Sequence, residues 1–378
     1  MESVDEAFAR GYGHDAVRLG WQKALTEAVS ECNPDRIFVL VDETTERLCL
    51  PLVKDFPCLQ QAETIVILPG DQHKNLESVA QVWQALQQKG ATRHSLLINL
   101  GGGMVTDLGG FAASTFKRGM HLINIPTTLL SMVDASVGGK TGFNFGGLKN
   151  EIGVFRNASS VILDTVFLKT MDAENLLSGY AEMLKHGLIC SQPTGEGNTS
   201  MLGELLAFDV EQPDLDVLKR MVAESVEVKQ RIVLEDPEEH GLRKALNLGH
   251  TVGHAFESFA MRATGDMGMR QGGEIKPVLH GYAVAYGLVC ELYLSCVKTG
   301  FPTDKMRQTV RFIFEHYGRM PITCDDYPVL LELMTHDKKN EGDTINFTLL
   351  GNIGDIRINQ TATKQEIEEA LDFYRESC

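Results

Sequence analysis

Ser95-Leu-Leu-Ile-Asn-Leu100 runs directly into Gly101-Gly-Gly-Met-Val-Thr-Asp-Leu-Gly-Gly110. A short, almost wholly apolar run that ends in glycines predicts a strand covered on both faces. The glycines predict a tight turn and the residues beyond them a helix, with Asp107 in its first turn. Three glycines at a strand end let backbone N–H groups approach a phosphate closely, and a helix N-terminus favours an anion. The spacing is not GxGxxG, so the usual dinucleotide fingerprint is not met.

The same pattern recurs on either side. Arg36-Ile-Phe-Val-Leu-Val-Asp42, Thr64-Ile-Val-Ile-Leu68 and His121-Leu-Ile-Asn-Ile125 read as strands. Between them, Asn75 to Gly90 carries Leu76, Val79, Val82, Trp83 and Leu86 at helical spacing. Apolar strands alternating with helices predict a parallel α/β domain over residues 1–172, with ligands at the carboxyl ends of its strands. From residue 173 the pattern turns helical: Ala173 to Ile189, Leu215 to Leu234, His250 to Met261, His280 to Thr299 and Thr303 to Tyr317. The best remaining strand is Thr344 to Leu350. Residues 173–378 therefore read as an all-α second domain.

Composition bounds the function. The 378 residues carry 35 basic and 51 acidic side chains, a net charge of −16, which argues against nucleic acid as the main partner. No apolar run approaches the ~20 residues of a membrane span. Met1 to Arg10 lacks a signal-peptide core, so a cytoplasmic protein is expected. The eight cysteines form no CxxC pair and read as reduced thiols. Residues 101–185 hold seven basic and seven acidic residues, so the acid excess lies elsewhere and an anion-binding cleft stays open.

Several clusters carry candidate chemistry. Asp134-Ala-Ser-Val-Gly-Gly-Lys140-Thr141 lacks the first glycine of a P-loop, yet with Gly147-Leu-Lys149-Asn150 it puts two lysines into one Gly-rich loop region suited to an anion. Asn247-Leu-Gly-His250-Thr-Val-Gly-His254-Ala-Phe-Glu257 sets two histidines on one helix face, where they can share a metal or a substrate. It is not HExxH, since Thr251 stands where the glutamate would be. Gly179-Tyr-Ala-Glu182-Met-Leu-Lys185 places an acid and a base three apart. Pro277-Val-Leu-His280-Gly281 puts a histidine at a helix start, and His336-Asp337-Lys338-Lys339 forms a charged turn.

In order and spacing these stretches resemble the 3-dehydroquinate synthases, within the sugar-phosphate cyclases, from about Val41 to about Leu350. The most specific parts are GGGMVTDLGGFAAST, Pro126-Thr127-Thr128, MVDASVGGKT, LKN and GYAEMLKHG, followed by LRKALNLGHTVGHAFE at 242–257. The resemblance implies a Rossmann-like NAD-binding domain, a helical domain and an active site between them. It implies zinc or cobalt on Glu182, His250 and His280. It implies NAD contacts from Asp42, Thr44, Lys74, Gly102, Gly103, Met104, Val105, Thr106, Asp107, Thr127, Thr128, Lys140, Lys149 and the stretch Phe167, Leu168, Lys169, Thr170. The implied substrate pocket uses Asp134, Lys140, Asn150, Lys185, Lys229, Arg243, Asn247, His254 and Lys338, with Glu239 a further polar residue. Arg118 resembles an arginine that reaches the partner subunit's substrate, which implies a homodimer.

The implied reaction is the second step of the shikimate pathway. It turns the sugar acid phosphate DAHP into 3-dehydroquinate and phosphate through transient oxidation by NAD, β-elimination, re-reduction and aldol closure. His254 is the expected proton relay. Three departures stand out: the shortened turn Gly70-Asp71-Gln-His-Lys74; Tyr282 in place of a glutamate, which leaves a carboxylate behind the metal ligands in doubt; and a long segment, Met261 to Lys276, expected to be a mobile loop over the site. The alternatives are another sugar-phosphate cyclase, an NAD- and metal-dependent polyol dehydrogenase, or a non-catalytic relative.

Overall fold

The computed structural model describes residues 16–146, 148–190, 200–265, 275–335 and 345–377. The chain divides into two compact units, the first running up to Asp172 and adding Leu215–Val226, the second comprising Ala173–Asp214 and the chain from Glu227 onward.

The first unit is built on a six-stranded parallel sheet. Its strands are β1 (Val17–Leu19), β2 (Ile37–Asp42), β3 (Glu63–Ile67), β4 (Leu96–Gly101), β5 (His121–Pro126) and β8 (Ser160–Leu163), in spatial order β1-β8-β5-β4-β2-β3. Helices α1 (Trp21–Cys32), α2 (Glu43–Leu48), α3 (Leu76–Gln88) and α4 (Gly103–Thr115) accompany it. All six residues of β4 are buried, as its near-continuous apolar run requires. The order reverses between β2 and β4, since β3 lies to one side of β2 and β4 to the other. Carboxyl ends of strands flanking such a reversal form a ligand crevice. Asp42 ends β2 and Gly101 ends β4.

Two features differ from the reading of the sequence. Helix α4 starts at once after the strand, with Gly102 as N-cap and Gly103 first, so Asp107 lies in its second turn and not its first. The stretch 140–155 is not an open Gly-rich loop. It forms an antiparallel hairpin of β6 (Lys140–Phe145) and β7 (Leu148–Phe155). The glycines make it possible: a Cβ on Gly142 would stand 2.4 Å from the Ile152 carbonyl oxygen.

The second unit contains α5 (Ala173–Ile189), α6 (Met201–Ala207), the later part of α7 (Leu215–Glu235), α8 (His250–Gly265), α9 (His280–Thr299), α10 (Thr303–Tyr317), α11 (Tyr327–Thr335) and α12 (Lys364–Glu376). One antiparallel hairpin, β9 (Asn346–Asn352) and β10 (Asp355–Thr361), joins them. Helix α9 is apolar nearly all round because it is central: it packs on α5, α8, α10, α12 and β9. Met261 to Gly265 continues α8, so the expected mobile loop does not begin at Met261. Residues 266–274, and the charged turn with Lys338, lie outside the described residues. Among the described residues, no helix is long and apolar enough to cross a membrane, and all seven cysteines are free thiols.

Candidate active site

In the first unit the expected dinucleotide residues gather where strands end. The first-turn N–H groups of α4 have no side-chain cap and no acidic neighbour, a combination that leaves them open to an anion. The glycines divide their roles. A Cβ on Gly109 would meet Asn99 Oδ1 at 2.1 Å, so this residue admits the helix against the sheet. Those on Gly102 and Gly103 would meet Thr128 and Ala135 at only 3.1 Å, so the missing Cβ atoms let these two residues pack close to the helix N-terminus. Asp42 caps α2 through Oδ1, which accepts from the Thr45 backbone N–H at 2.7 Å. Thr44 is exposed in the first turn of α2. Thr127 is buried and donates its N–H to the Gly101 carbonyl at 2.9 Å. Thr128 hydrogen-bonds Ser131 at the start of a single π-helical turn, Ser131–Ala135, that carries Asp134.

Lys74 organises the second part of this unit's site. Its buried ammonium donates to Asp107 Oδ2 at 2.5 Å and to Asn150 Oδ1 at 2.6 Å. The shortened turn before it is anchored as well: Asp71 accepts from the Asn144 amide and stands 3.4 Å from Lys149 Nζ. A cavity of about 290 Å³ is lined by Asp107, Lys140, Thr141, Asn150, Gly153 and neighbours, so three of the expected residues share one space. The stretch Thr165–Thr170 is a 3-10 turn. Phe167 and Leu168 are buried in it, so they pack, while Lys169 is exposed and Thr170 bonds the Phe167 carbonyl. Arg118 lies in a run of positive φ, with Lys117 at 48°, Arg118 at 68° and Gly119 at 112°. A non-glycine residue held there costs roughly 1–2 kcal/mol. The turn spends that strain on presenting an exposed arginine.

In the second unit three helices converge. Glu182 of α5 is fully buried, and its Oε2 is ion-paired with the Lys185 ammonium. His250 Nε2 and His280 Nε2 stand 3.3 and 3.4 Å from its Oε1. Two ligands about 2.0–2.1 Å from a tetrahedral metal are about 3.3–3.4 Å apart, so these spacings around a buried carboxylate fit a divalent ion. Glycines bring the helices this close. A Cβ on Gly281, next to His280, would stand 1.8 Å from the Ser178 carbonyl oxygen on α5. One on Gly287 would stand 2.0 Å from the Gly249 carbonyl oxygen beside α8. The start of α8 is held by Glu291, a buried carboxylate that accepts from the N–H groups of Gly249 and Val252 at 2.6 and 3.1 Å.

Electrostatics follow from this burial. Burial alone would raise the Glu182 carboxyl, but the paired Lys185 ammonium, then His250 and His280, hold it well below the usual range. Burial would lower His280, but the carboxylates of Glu182 and Glu257 outweigh it and raise the ring to about 10. His254 is half-buried, its ring 5.3 Å from that of His250 and 5.9 Å from that of His280.

The remaining expected residues lie on the adjoining segment. Lys229 on α7 and Arg243 on the turn Leu242–Asn247 are buried. Asn247 donates to Glu239 Oε1 at 2.9 Å, and Glu239 itself has a φ of 64°. Asp236, which the sequence did not single out, accepts from the backbone N–H groups of His240, Gly241 and Arg243 at 3.0, 2.7 and 2.9 Å and so folds this loop.

Profiles described as 3-dehydroquinate synthase N-terminal and C-terminal match residues 64–178 and 179–340. A 3-dehydroquinate synthase of Parabacteroides distasonis is 52% identical over 353 residues, 93% of this chain and 95% of its own. The chain belongs to the 3-dehydroquinate synthase family. A 3-dehydroquinate synthase of Pyrococcus furiosus is 36% identical over 94% of this chain and 99% of its own. In fold the family member matches 2-deoxy-scyllo-inosose synthase, solved with carbaglucose-6-phosphate, NAD+ and Co2+, at a TM-score of 0.78 and 20% identity over 96% of each chain. It also matches the 2-epi-5-epi-valiolone synthase ValA of Streptomyces hygroscopicus, solved with NAD+ and Zn2+, at 0.76 and 24% over 98% of each. The α/β unit followed by a helical unit, expected for this family, is thus what the chain adopts.

The family departure at Tyr282 has a structural counterpart. The Tyr282 ring packs on Tyr317 and Tyr286, at 5.0 and 6.5 Å between centroids, and the carboxylate near His280 comes from another helix. Glu257 supplies it from α8, its Oε2 3.5 Å from His280 Nδ1. The signal was in the sequence, since Glu257 sits three residues after His254 and seven after His250, on one helical face.

Proposed function

We propose that this chain catalyses the 3-dehydroquinate synthase reaction, converting DAHP to 3-dehydroquinate and inorganic phosphate. The observation that carries the reading is the buried Glu182, whose Oε1 faces His250 Nε2 and His280 Nε2 at 3.3 and 3.4 Å, in a chain 52% identical to a named 3-dehydroquinate synthase. Glu182, His250 and His280 would hold zinc or cobalt. The α4 N-terminus and Asp42 would hold NAD by its pyrophosphate and adenosine ribose. When bound, NAD supplies reversible hydride transfer and the metal polarises substrate hydroxyls.

The chain's own groups do the rest. Arg243, Asn247 and Lys229 carry the charge and donors that suit the substrate carboxylate. Lys140 and Arg118 suit the phosphate, Arg118 from the second subunit of a homodimer. Lys185 neutralises one side of Glu182 and keeps it ionised for a cation. His254 stands beside both ligand histidines, where a partly exposed imidazole can take a proton from a substrate hydroxyl and pass it to water. The family's small-molecule chemistry favours a biosynthetic role.

The test is incubation with DAHP, NAD and a divalent metal, following phosphate and product together. Equal phosphate and 3-dehydroquinate are expected. Turnover of a different sugar phosphate, with none of DAHP, would assign the chain to another cyclase activity.

A further inference from the structure

We propose that Glu257 is a positioning residue for His280, holding the ring through Nδ1 so that Nε2 faces Glu182. The inference rests on Glu182, His250 and His280 being the metal ligands. An imidazole ligand uses one nitrogen, and its other N–H normally meets a carboxylate, a carbonyl or water, which fixes the tautomer and the ring plane. His250 has such a partner on its own chain segment: its Nδ1 stands 3.1 Å from the Leu248 carbonyl oxygen.

His280 has no equivalent within its helix. It is the first residue of α9, its N-cap Leu279 offers no side-chain bond, and its side chain is 30% exposed. Glu257 reaches it from α8, with Oε2 3.5 Å from Nδ1, while Nε2 stands 3.4 Å from Glu182 Oε1. The ring is thus bracketed by a carboxylate at each nitrogen. Glu257 is itself buried, and a buried carboxylate lowers stability unless a partner offsets it. The helices that carry the bracket are locked at this point, because a Cβ on Gly253 would meet the Ala283 carbonyl oxygen at 2.8 Å.

His254, Glu257 and His280 also lie close enough together to share an ion of their own. An ion there and one at Glu182 would each need a lone pair from His280. A neutral imidazole has one such nitrogen and one N–H. Orientation of the ring therefore needs no further deprotonation, whereas a second ion does.

The experiment uses the full chain stripped of metal and titrated with Co2+ against a chromophoric chelator, recording the visible Co2+ spectrum. Wild type is expected to bind one Co2+. Glu257→Ala should bind it about 10–100-fold more weakly and with a shifted spectrum, and Glu257→Gln, which keeps an acceptor oxygen without the charge, should fall between. Far-ultraviolet circular dichroism checks the fold, and Glu257→Gln carries the test if Glu257→Ala unfolds. Unchanged affinity and spectrum overturn the proposal. So does a wild type binding two Co2+ of which Glu257→Ala loses one without weakening the other. His250→Ala is run in parallel: if it keeps stoichiometric Co2+, the ligand set itself is wrong, whereas its loss beside an unaffected Glu257→Ala removes only the present inference.

Discussion

The two units use glycine for opposite ends. In the first, Gly102 and Gly103 let Thr128 and Ala135 pack against the start of α4, whose N-cap makes no side-chain hydrogen bond, so the proposed dinucleotide site is largely main chain. In the second, Gly281, Gly253 and Gly287 let α5, α8 and α9 touch, and the recognition surface is buried charge on side chains. A main-chain site tolerates many side-chain changes but not a new Cβ. A side-chain site fails on loss of a single ligand atom, because the groups left behind are buried and unpaired. The predictions below order themselves by that difference.

The largest effect belongs to the charged site. His250→Ala should lose stoichiometric metal and lower kcat roughly a thousand-fold, the several kcal/mol that a Lewis-acid metal supplies, while dinucleotide affinity, read by NAD titration, stays near wild type. Parallel loss of both would mean that the two regions are not separable. Next comes helix contact. Gly281→Ala should lower stability by about 3 kcal/mol in urea unfolding, since a backbone carbonyl at 1.8 Å cannot rotate away. A variant of wild-type stability would show that α9 slides freely against α5. Gly103→Ala is milder, since its Cβ would stand 3.1 Å from the Ala135 Cβ. It should weaken NAD binding about tenfold, with about 1 kcal/mol of stability lost and metal content unchanged.

The smallest effect is protonic. The ring of His280 is raised to about 10 in the metal-free protein, so it carries a proton at neutral pH that a metal must displace. Calorimetry in buffers of different ionisation enthalpy should find close to one proton released per metal at pH 7–8, and none would contradict the assignment. The sign for stability follows. A folded pKa raised from 6.5 to about 10 adds stability in full below pH 6.5, and this is lost as pH rises toward 10. The metal-free protein should therefore lose stability on this count across that range.

The sequence disclosed what is periodic. Four of the six sheet strands, the helix after Asn75 and the main helices of the second unit were legible as apolar runs or 3.6-residue patterns. The hairpin at 140–155 was not, because β7 is exposed along almost its whole length and so carries no alternation to read. The short strands β1 and β8 were missed for lack of length: three and four residues give no period. The resemblance to the family points to His250, His280 and Glu182, yet what brings them together is not visible in the sequence. Gly281 acts through a carbonyl more than a hundred positions earlier in the chain, and Glu257 across a helix pair. Such effects depend on tertiary contact and leave no local pattern.

In the proposed function the main-chain site and the charged site serve one redox-neutral reaction. The most direct measurement supplies DAHP in large excess over protein carrying one equivalent of NAD and one of metal, and follows 3-dehydroquinate, phosphate and NADH together. Many equal turnovers of 3-dehydroquinate and phosphate per NAD are expected, with no lasting NADH. Phosphate release that stops at one equivalent per NAD, with NADH accumulating to match and no 3-dehydroquinate formed, would contradict it.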